Sequence, residues 1–139
     1  MGAEAIHFSA SCPPVSNRKV RQTSRSTEKV LAHFYHEDLV ETLENMKEDG
    51  YTLLGVELAE GSRSLHDIDV SPYGKIALVV GAERNGVEEE TLALCDGIIH
   101  IPMYGKNSSM NVIHALAISL YEVVRQKQKG SGIIHAESL

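Results

Sequence analysis

The stretch IALVVGAERNG, residues 76–86, decides the fold class of this chain. Its first five residues are apolar without interruption, a pattern typical of a β-strand buried on both faces of a parallel sheet. Gly81 follows the strand, and its missing side chain would let a ligand approach the backbone. Glu83 then lies in a polar loop that Gly86 closes. By itself the segment fits a plain strand-to-helix connection as well as a binding site.

A second stretch, IHIPMYGKNSSMNV at residues 99–112, has a similar arrangement. A predicted strand over 97–101 leads into a polar loop, and a helix follows whose first turn contains Ser108, Ser109 and Asn111. A helix N-terminus offers unpaired backbone N–H groups and a partial positive charge. We expect one of the two serines to be the N-cap, a role that does not exclude a site.

The hydrophobic pattern predicts further elements on both sides of these two stretches. Strands are predicted over 5–9, 30–35, 51–58, 75–80 and 97–101, and helices over 37–47, 87–94 and 108–128. Gly50 suits a left-handed helix cap, and 61–71 reads as a loop. Alternating strands and helices predict one α/β domain over 1–128, with a mostly parallel sheet covered by helices on both faces. A flexible tail is expected over 129–139.

Ligands of such sheets bind beyond the carboxyl ends of the strands, which selects the loops after Leu58, Val80 and Ile101. None of these loops has a Gly-x-Gly-x-x-Gly or Walker-type phosphate motif, which disfavours a general nucleotide-binding domain.

The composition predicts a soluble cytoplasmic protein. Its 139 residues are 42% hydrophobic and carry a net charge of −6, and the apolar runs are shorter than the roughly 20 residues that a transmembrane helix needs. Cys12 and Cys95 lack metal-ligand spacing, so reduced thiols and no metal site are expected. The acidic balance is against a nucleic-acid partner. A local basic segment over 17–25 is nevertheless compatible with RNA binding through Arg18, Lys19, Arg21 and Arg25, or with a solvated helix face.

Together, in this order and spacing, the two stretches resemble the second and third signature motifs of SpoU/TrmH-type RNA 2′-O-ribose methyltransferases, trefoil-knot enzymes of the SPOUT class. The matching segments are GAERNG at 81–86, IPM at 101–103, SMNV at 109–112 and LYE at 120–122, with Cys95 and Asp96 ahead of the last strand. The resemblance extends over about residues 4–126 and is specific from 76 to 122.

This resemblance implies an α/β knot, one of the few exceptions to unknotted chains. In the family, the knot loops form a cleft that holds S-adenosylmethionine mostly through backbone atoms. The cofactor contacts that carry over are Leu58, Gly81, Ile101, Met103, Ser109 and Met110. Apolar Leu58, Ile101 and Met110 would cover the faces of the adenine. The family also implies a homodimer through the last helix, whose apolar stripe fits simple core packing equally well.

The implied reaction is methyl transfer to a ribose 2′-hydroxyl of tRNA or rRNA, with Glu83, Ser109 and Asn111 as the catalytic residues that carry over. The hydroxyl is a poor nucleophile, so it must be deprotonated or positioned. In the resembling enzymes this task falls to an arginine in an Asn-x-Gly-x-x-x-Arg first motif, a pattern that does not occur in these 139 residues. We expect a truncated chain, a homologue that no longer catalyses, or a substitute residue. The alternative function is a non-catalytic, cofactor- and RNA-binding knotted dimer.

Overall fold

The computed structural model describes residues 3–9, 32–82, 85–106 and 109–131. The elements, in chain order, are β1 (Ala5–Ser9), β2 (Ala32–His36), α1 (Leu39–Glu48), β3 (Tyr51–Val56), β4 (Arg63–Ser64), a 3-10 turn (Leu65–Asp67), β5 (Lys75–Val79), α2 (Glu89–Leu94), β6 (Gly97–His100) and α3 (Val112–Ser131). Strands and helices alternate along most of the chain, as the sequence predicts.

All strand pairs in the described residues are parallel, which confirms the predicted mostly parallel α/β architecture. Four strands form one sheet in the order β4-β6-β3-β5, and β1 pairs with β2 in a separate sheet. The prediction that 61–71 is entirely loop was wrong. Arg63 and Ser64 pair with Ile99 and His100, so this segment adds a short strand to the sheet.

Strand β5 is less enclosed than its apolar sequence predicts. It lies at one end of the four-stranded sheet, where β3 is its neighbour. Lys75 is exposed, the next three residues are half-buried, and Val79 is buried. The expectation of burial on both faces was therefore wrong for the described residues, because an apolar run does not report how many neighbours a strand has.

The hydrophobic core is divided between the two faces of the larger sheet. Leu53 and Leu54 are adjacent in β3 and point to opposite faces, as strand geometry requires. Leu54 packs in a cluster with Ile99 and with Val123 of α3. Leu53 packs in a second cluster with Leu43 of α1, and side chains of α2 surround this second cluster. Helices therefore cover both faces of the sheet, as predicted.

The helix ends follow their capping residues. Asp38 accepts a hydrogen bond from Glu41 N at 3.0 Å and starts α1, and Gly50, with φ +90°, follows its end as predicted. Helix α3 begins at Val112, where Asn111 Oδ1 accepts from Ile113 N at 2.9 Å. The predicted serine N-cap was wrong, because the amide of Asn111 makes the capping bond.

Helix α3 also continues to Ser131, three residues beyond the predicted end of the domain at 128. Residues 132–139 of the expected tail lie outside the described residues. Within the described part of the chain, no helix combines the length and apolarity needed to cross a membrane.

Candidate functional site

A cavity of about 360 Å³ lies where the connections leave the carboxyl ends of β3 and β6. These two strands are neighbours in the sheet, so their loops meet at one edge. Such an edge is where open parallel sheets bind ligands. The cavity is lined by Leu58, His100, Ile101, Pro102, Met103, Gly105 and Lys106.

Three of the six predicted cofactor-binding residues line this cavity together. Leu58, two residues beyond β3, is 60% exposed, and Met103 is 39% exposed. Ile101 follows β6 directly and is half-buried, less exposed than either of these two. Exposed apolar side chains around a concave surface are what a flat, partly apolar ligand requires. Gly81, Ser109 and Met110 do not line the cavity.

The structure gives a steric reason for glycine at position 81, whereas the sequence analysis expected it to make room for a ligand. A Cβ built on Gly81 would lie 1.9 Å from the carbonyl carbon and oxygen of Gly86 and 2.3 Å from Val87 N. The space beside Gly81 is therefore filled by the chain's own backbone. The amide of Gly86 also donates to Ala82 O at 2.9 Å, which closes the loop on itself. The Cβ position of Gly81 is thus not open to a ligand, and contact of the cofactor with the Gly81 backbone stays a prediction.

Glu57 fixes the same loop to the end of β3. Its Oε2 accepts from Val87 N at 3.0 Å, and its Oε1 accepts from Leu58 N at 3.2 Å. Gly86 has φ +64°, and a Cβ there would lie 2.3 Å from Glu57 Oε2. One carboxylate thus joins the connection after β5 to the connection after β3. The sequence did not single out Glu57, because an acidic residue after a strand looks like ordinary surface.

The predicted catalytic residues are only partly within the described structure. Glu83 lies outside the described residues, as do the predicted RNA-binding residues Arg18, Lys19, Arg21 and Arg25. Ser109 and Asn111 are exposed at the start of α3. Ser109, Met110 and Asn111 are consecutive residues immediately before α3, and none of them lines the cavity.

His100 is a cavity residue that the sequence analysis missed. A hydrogen bond of 2.9 Å joins its Nδ1 to Ser62 Oγ. The amide of Ser62 donates to Ala59 O at 3.0 Å, which forms a turn in the connection after β3. No local pattern connects two residues 38 positions apart, so only the sheet pairing brings them together.

A second cavity of about 360 Å³, between residues 68–71 and α3, has its polar groups already engaged. Arg125 Nη2 is 2.7 Å from Glu122 Oε1, and Asp69 accepts from the hydroxyl of Ser71 at 2.6 Å. Gln126 accepts from Val70 N and donates to the carbonyl of Ile68. The Gln126 contacts fasten α3 to the segment 68–70, and the other two pairs are local. The cavity at the carboxyl ends is therefore the better candidate site.

The described residues contain no group of three or more His, Cys, Asp or Glu side chains that could hold a metal ion. Burial, and next the charge of Asp96, raise the pKa of the Cys95 thiol above its usual value. A protonated, half-buried thiol is a poor nucleophile, which leaves Cys95 as a packing residue.

One known protein family and several known proteins are similar to this chain. The model of the SpoU rRNA Methylase family matches residues 1–121. The tRNA (guanosine(18)-2′-O)-methyltransferase of Thermus thermophilus is 41% identical over 109 residues, which are 78% of this chain and 55% of that protein. The 23S rRNA (guanosine-2′-O-)-methyltransferase RlmB of Xanthomonas axonopodis pv. citri is 33% identical over 111 residues, 80% of this chain and 43% of that protein.

Solved structures show the same fold. The SpoU methyltransferase AviRb from Streptomyces viridochromogenes, in complex with the cofactor AdoMet, superposes with a TM-score of 0.79 at 26% identity, over 92% of this chain and 51% of that one. The A. aeolicus TrmH/SpoU tRNA modifying enzyme gives 0.74 at 28% identity, over 92% of this chain and 64% of that one. The chain spans about half the length of the curated relatives that it matches.

Proposed function

We propose, since the chain belongs to the SpoU rRNA Methylase family, that it binds S-adenosylmethionine and serves methyl transfer to a ribose 2′-hydroxyl of tRNA or rRNA. The observation that carries this proposal is the cavity at the carboxyl ends of β3 and β6, where Leu58, Ile101 and Met103 lie together. These residues come from separate segments, and the family resemblance assigned all three to the cofactor.

The residues present fit this cofactor. The cavity volume of about 360 Å³ is within the range of about 300–1,000 Å³ of small-molecule sites. The side chains of Leu58 and Met103 are exposed at the cavity and offer apolar surface for the faces of an adenine ring. When bound, S-adenosylmethionine supplies an electrophilic methyl group. The chain's own task is to hold the cofactor and to exclude water from the acceptor oxygen.

We propose Glu83, Ser109 and Asn111 as the residues of this chain that support the ribose and the group that activates its hydroxyl. The assignment of Glu83 rests on its place in the segment GAERNG at 81–86. The contacts of Gly81, Gly86 and Glu57 fix the ends of this segment. In the resembling enzymes an arginine of the first motif acts on the hydroxyl. Cofactor binding and methyl transfer are therefore separate steps of the proposal, with separate tests.

The test of cofactor binding is isothermal titration with S-adenosylhomocysteine. We expect binding by the unaltered chain and a loss of more than tenfold in affinity for Leu58→Asp, because a charge would be desolvated against the adenine. Ile6→Asp is the control, since Ile6 is also exposed but lies on β1. Absence of affinity in the unaltered chain would refute the proposal.

The test of methyl transfer is the transfer of tritium from labelled cofactor to bulk tRNA and rRNA. The 139-residue chain is compared with a version that also carries the preceding coding sequence. Transfer by the longer version alone assigns the activating group to that segment. Cofactor and RNA binding without transfer by either version supports the alternative, a non-catalytic knotted dimer.

We also propose a C-terminal trefoil knot, RNA contacts through Arg18, Lys19, Arg21 and Arg25, and a homodimer through α3. The dimer is supported by large apolar side chains on α3 that are exposed in the single chain, Ile113 at 64%, Ile118 at 41% and Tyr121 at 61%. Exposed apolar residues in such a group mark interaction surfaces. Light scattering is expected to give twice the chain mass, and Tyr121→Arg is expected to give the monomer.

A further inference from the structure

We propose that His100 forms a hydrogen bond with a ribose hydroxyl of the cofactor's adenosyl group, either as donor or as acceptor. His100 itself lies outside the matching segments of the signature motifs. This inference rests on the proposed function. The matching segment of the third motif begins at Ile101, and the resemblance assigns no role to His100. The geometry of the cavity assigns His100 a role of its own.

Small-molecule sites are mostly apolar and rely on a few fixed polar groups to orient the ligand. Among the described residues that line the cavity, His100 and Lys106 have polar side chains. Lys106 is exposed at the end of the described loop, and its flexible stem makes it a poor orienting group. His100 is half-buried at the end of β6 and is therefore the cavity's oriented polar side chain.

Ser62 sets the direction of the imidazole ring. Its hydroxyl lies 2.9 Å from His100 Nδ1. Ser62 is held in turn by the hydrogen bond of its amide to Ala59 O, and the next residues pair with β6 in register, Ser64 beside His100. Because Nδ1 is engaged, Nε2 is the ring nitrogen available to a ligand, and no described residue bonds to it.

The chemistry of Nε2 favours a hydroxyl as its partner. The neutral ring either donates or accepts at Nε2, according to the direction of the Ser62 hydrogen bond. A hydroxyl can both donate and accept, so it satisfies either tautomer. The adenosyl group carries two hydroxyls on its ribose, whereas an adenine edge has fixed donors and acceptors. A ribose hydroxyl is therefore the partner that fits without a change of tautomer.

The experiment measures dissociation constants for S-adenosylhomocysteine by titration calorimetry. Loss of one such hydrogen bond is expected to weaken binding by about tenfold. His100→Phe, which keeps the ring and removes both nitrogens, should show this loss. His100→Gln places an amide near Nε2 and should retain most of the affinity. His100→Asn places its amide near Nδ1 and should bind as weakly as His100→Phe. His66→Gln, in the exposed 3-10 turn, is the matched control.

A ligand comparison separates direct contact from a structural effect. The unaltered chain should bind 5′-methylthioadenosine about tenfold more tightly than its 2′,3′-dideoxy analogue, because the hydroxyl partner is missing from the latter. His100→Phe should bind the two equally. Equal discrimination by both proteins, or wild-type affinity in folded His100→Phe, would overturn the inference while the proposed function stands. Failure of the unaltered chain to bind any of these ligands would overturn both.

Discussion

Replacement of Gly81 by alanine tests directly whether the nearby backbone of Gly86 is the reason for a glycine at position 81. The added Cβ would lie 1.9 Å from the carbonyl carbon and oxygen of Gly86, whereas real Cβ contacts essentially never fall below 3.0 Å. The Gly86 backbone must therefore move by about 1 Å. Backbone cannot rotate away as the end of a flexible side chain does, so the whole connection after β5 must shift.

The expected cost follows from the contacts that this shift breaks. Overpacking costs about 1–3 kcal/mol. The bonds from Gly86 N to Ala82 O, 2.9 Å, and from Val87 N to Glu57 Oε2, 3.0 Å, are also disturbed, and each contributes about 0.5–1.5 kcal/mol. Local rearrangement recovers part of this sum. We expect Gly81→Ala to lower the free energy of unfolding by about 2–4 kcal/mol.

The free energy of unfolding is measured by urea titration. Two other glycines provide matched controls in this titration. Gly74 has no atom within 4 Å of a built Cβ and no positive φ, so Gly74→Ala should change stability by no more than about 0.5 kcal/mol. Gly50 has equal space but φ +90°, so Gly50→Ala should cost about 1–2 kcal/mol from backbone strain alone. If Gly81→Ala costs no more than Gly74→Ala, the steric explanation of the motif glycine is refuted.

Three further substitutions test contacts that stabilise the fold away from the cavity. Asp96→Ala should destabilise by about 1–3 kcal/mol in urea, because the amide of buried Leu53 loses its 2.8 Å acceptor, while Asp96→Asn should cost less. Ser119→Ala should raise the thermal midpoint, since the fully buried Ser119 hydroxyl has no hydrogen-bond partner among the described residues. Hydrogen bonds from Arg125, and next from Gln126, lower the pKa of Glu122 from 4.5 to about 2. Its contribution is therefore complete above pH 4.5 and lost as the pH falls toward 2, so the stability advantage of the unaltered chain over Glu122→Gln should shrink across that range. At neutral pH that advantage should not exceed about 1 kcal/mol. A stability advantage that does not change with pH would contradict the assigned role of Glu122.

The sequence predicted most elements of the fold because most of the strands and helices carry a local hydrophobic pattern. It failed where the structure depends on neighbours. The two residues of β4 have no apolar pattern, and they form a strand only because β6 pairs with them. Strand β5 looks fully enclosed in sequence, yet its burial depends on how many strands flank it. The cap of α3 was misplaced because three polar residues compete for that position, and the amide of Asn111 makes the bond.

The candidate site also contains residues that local sequence patterns indicate and residues that only contacts between distant segments define. The sequence could point to Leu58, Ile101 and Met103 because they lie in loops that follow predicted strands and because the family resemblance covers them, and the structure places all three at one cavity. Glu57 and His100 were missed because their contacts join residues 30 and 38 positions apart. No periodicity encodes such a pair, and an acidic or imidazole side chain after a strand has many structural explanations.

The glycines of the second motif are required for a different reason from the residues that line the cavity. Gly81 is required by the backbone of Gly86, and Gly86 by its own positive φ and by the carboxylate of Glu57. Each of these requirements is internal to the chain and holds without any ligand. A chain under selection only to keep this loop folded would therefore keep both glycines. Their presence indicates the loop shape, whereas evidence for cofactor binding must come from the residues at the cavity, and evidence for catalysis from groups that reach the acceptor hydroxyl. Titrations of Leu58→Asp and His100→Phe consequently bear on function in a way that the presence of the two glycines does not.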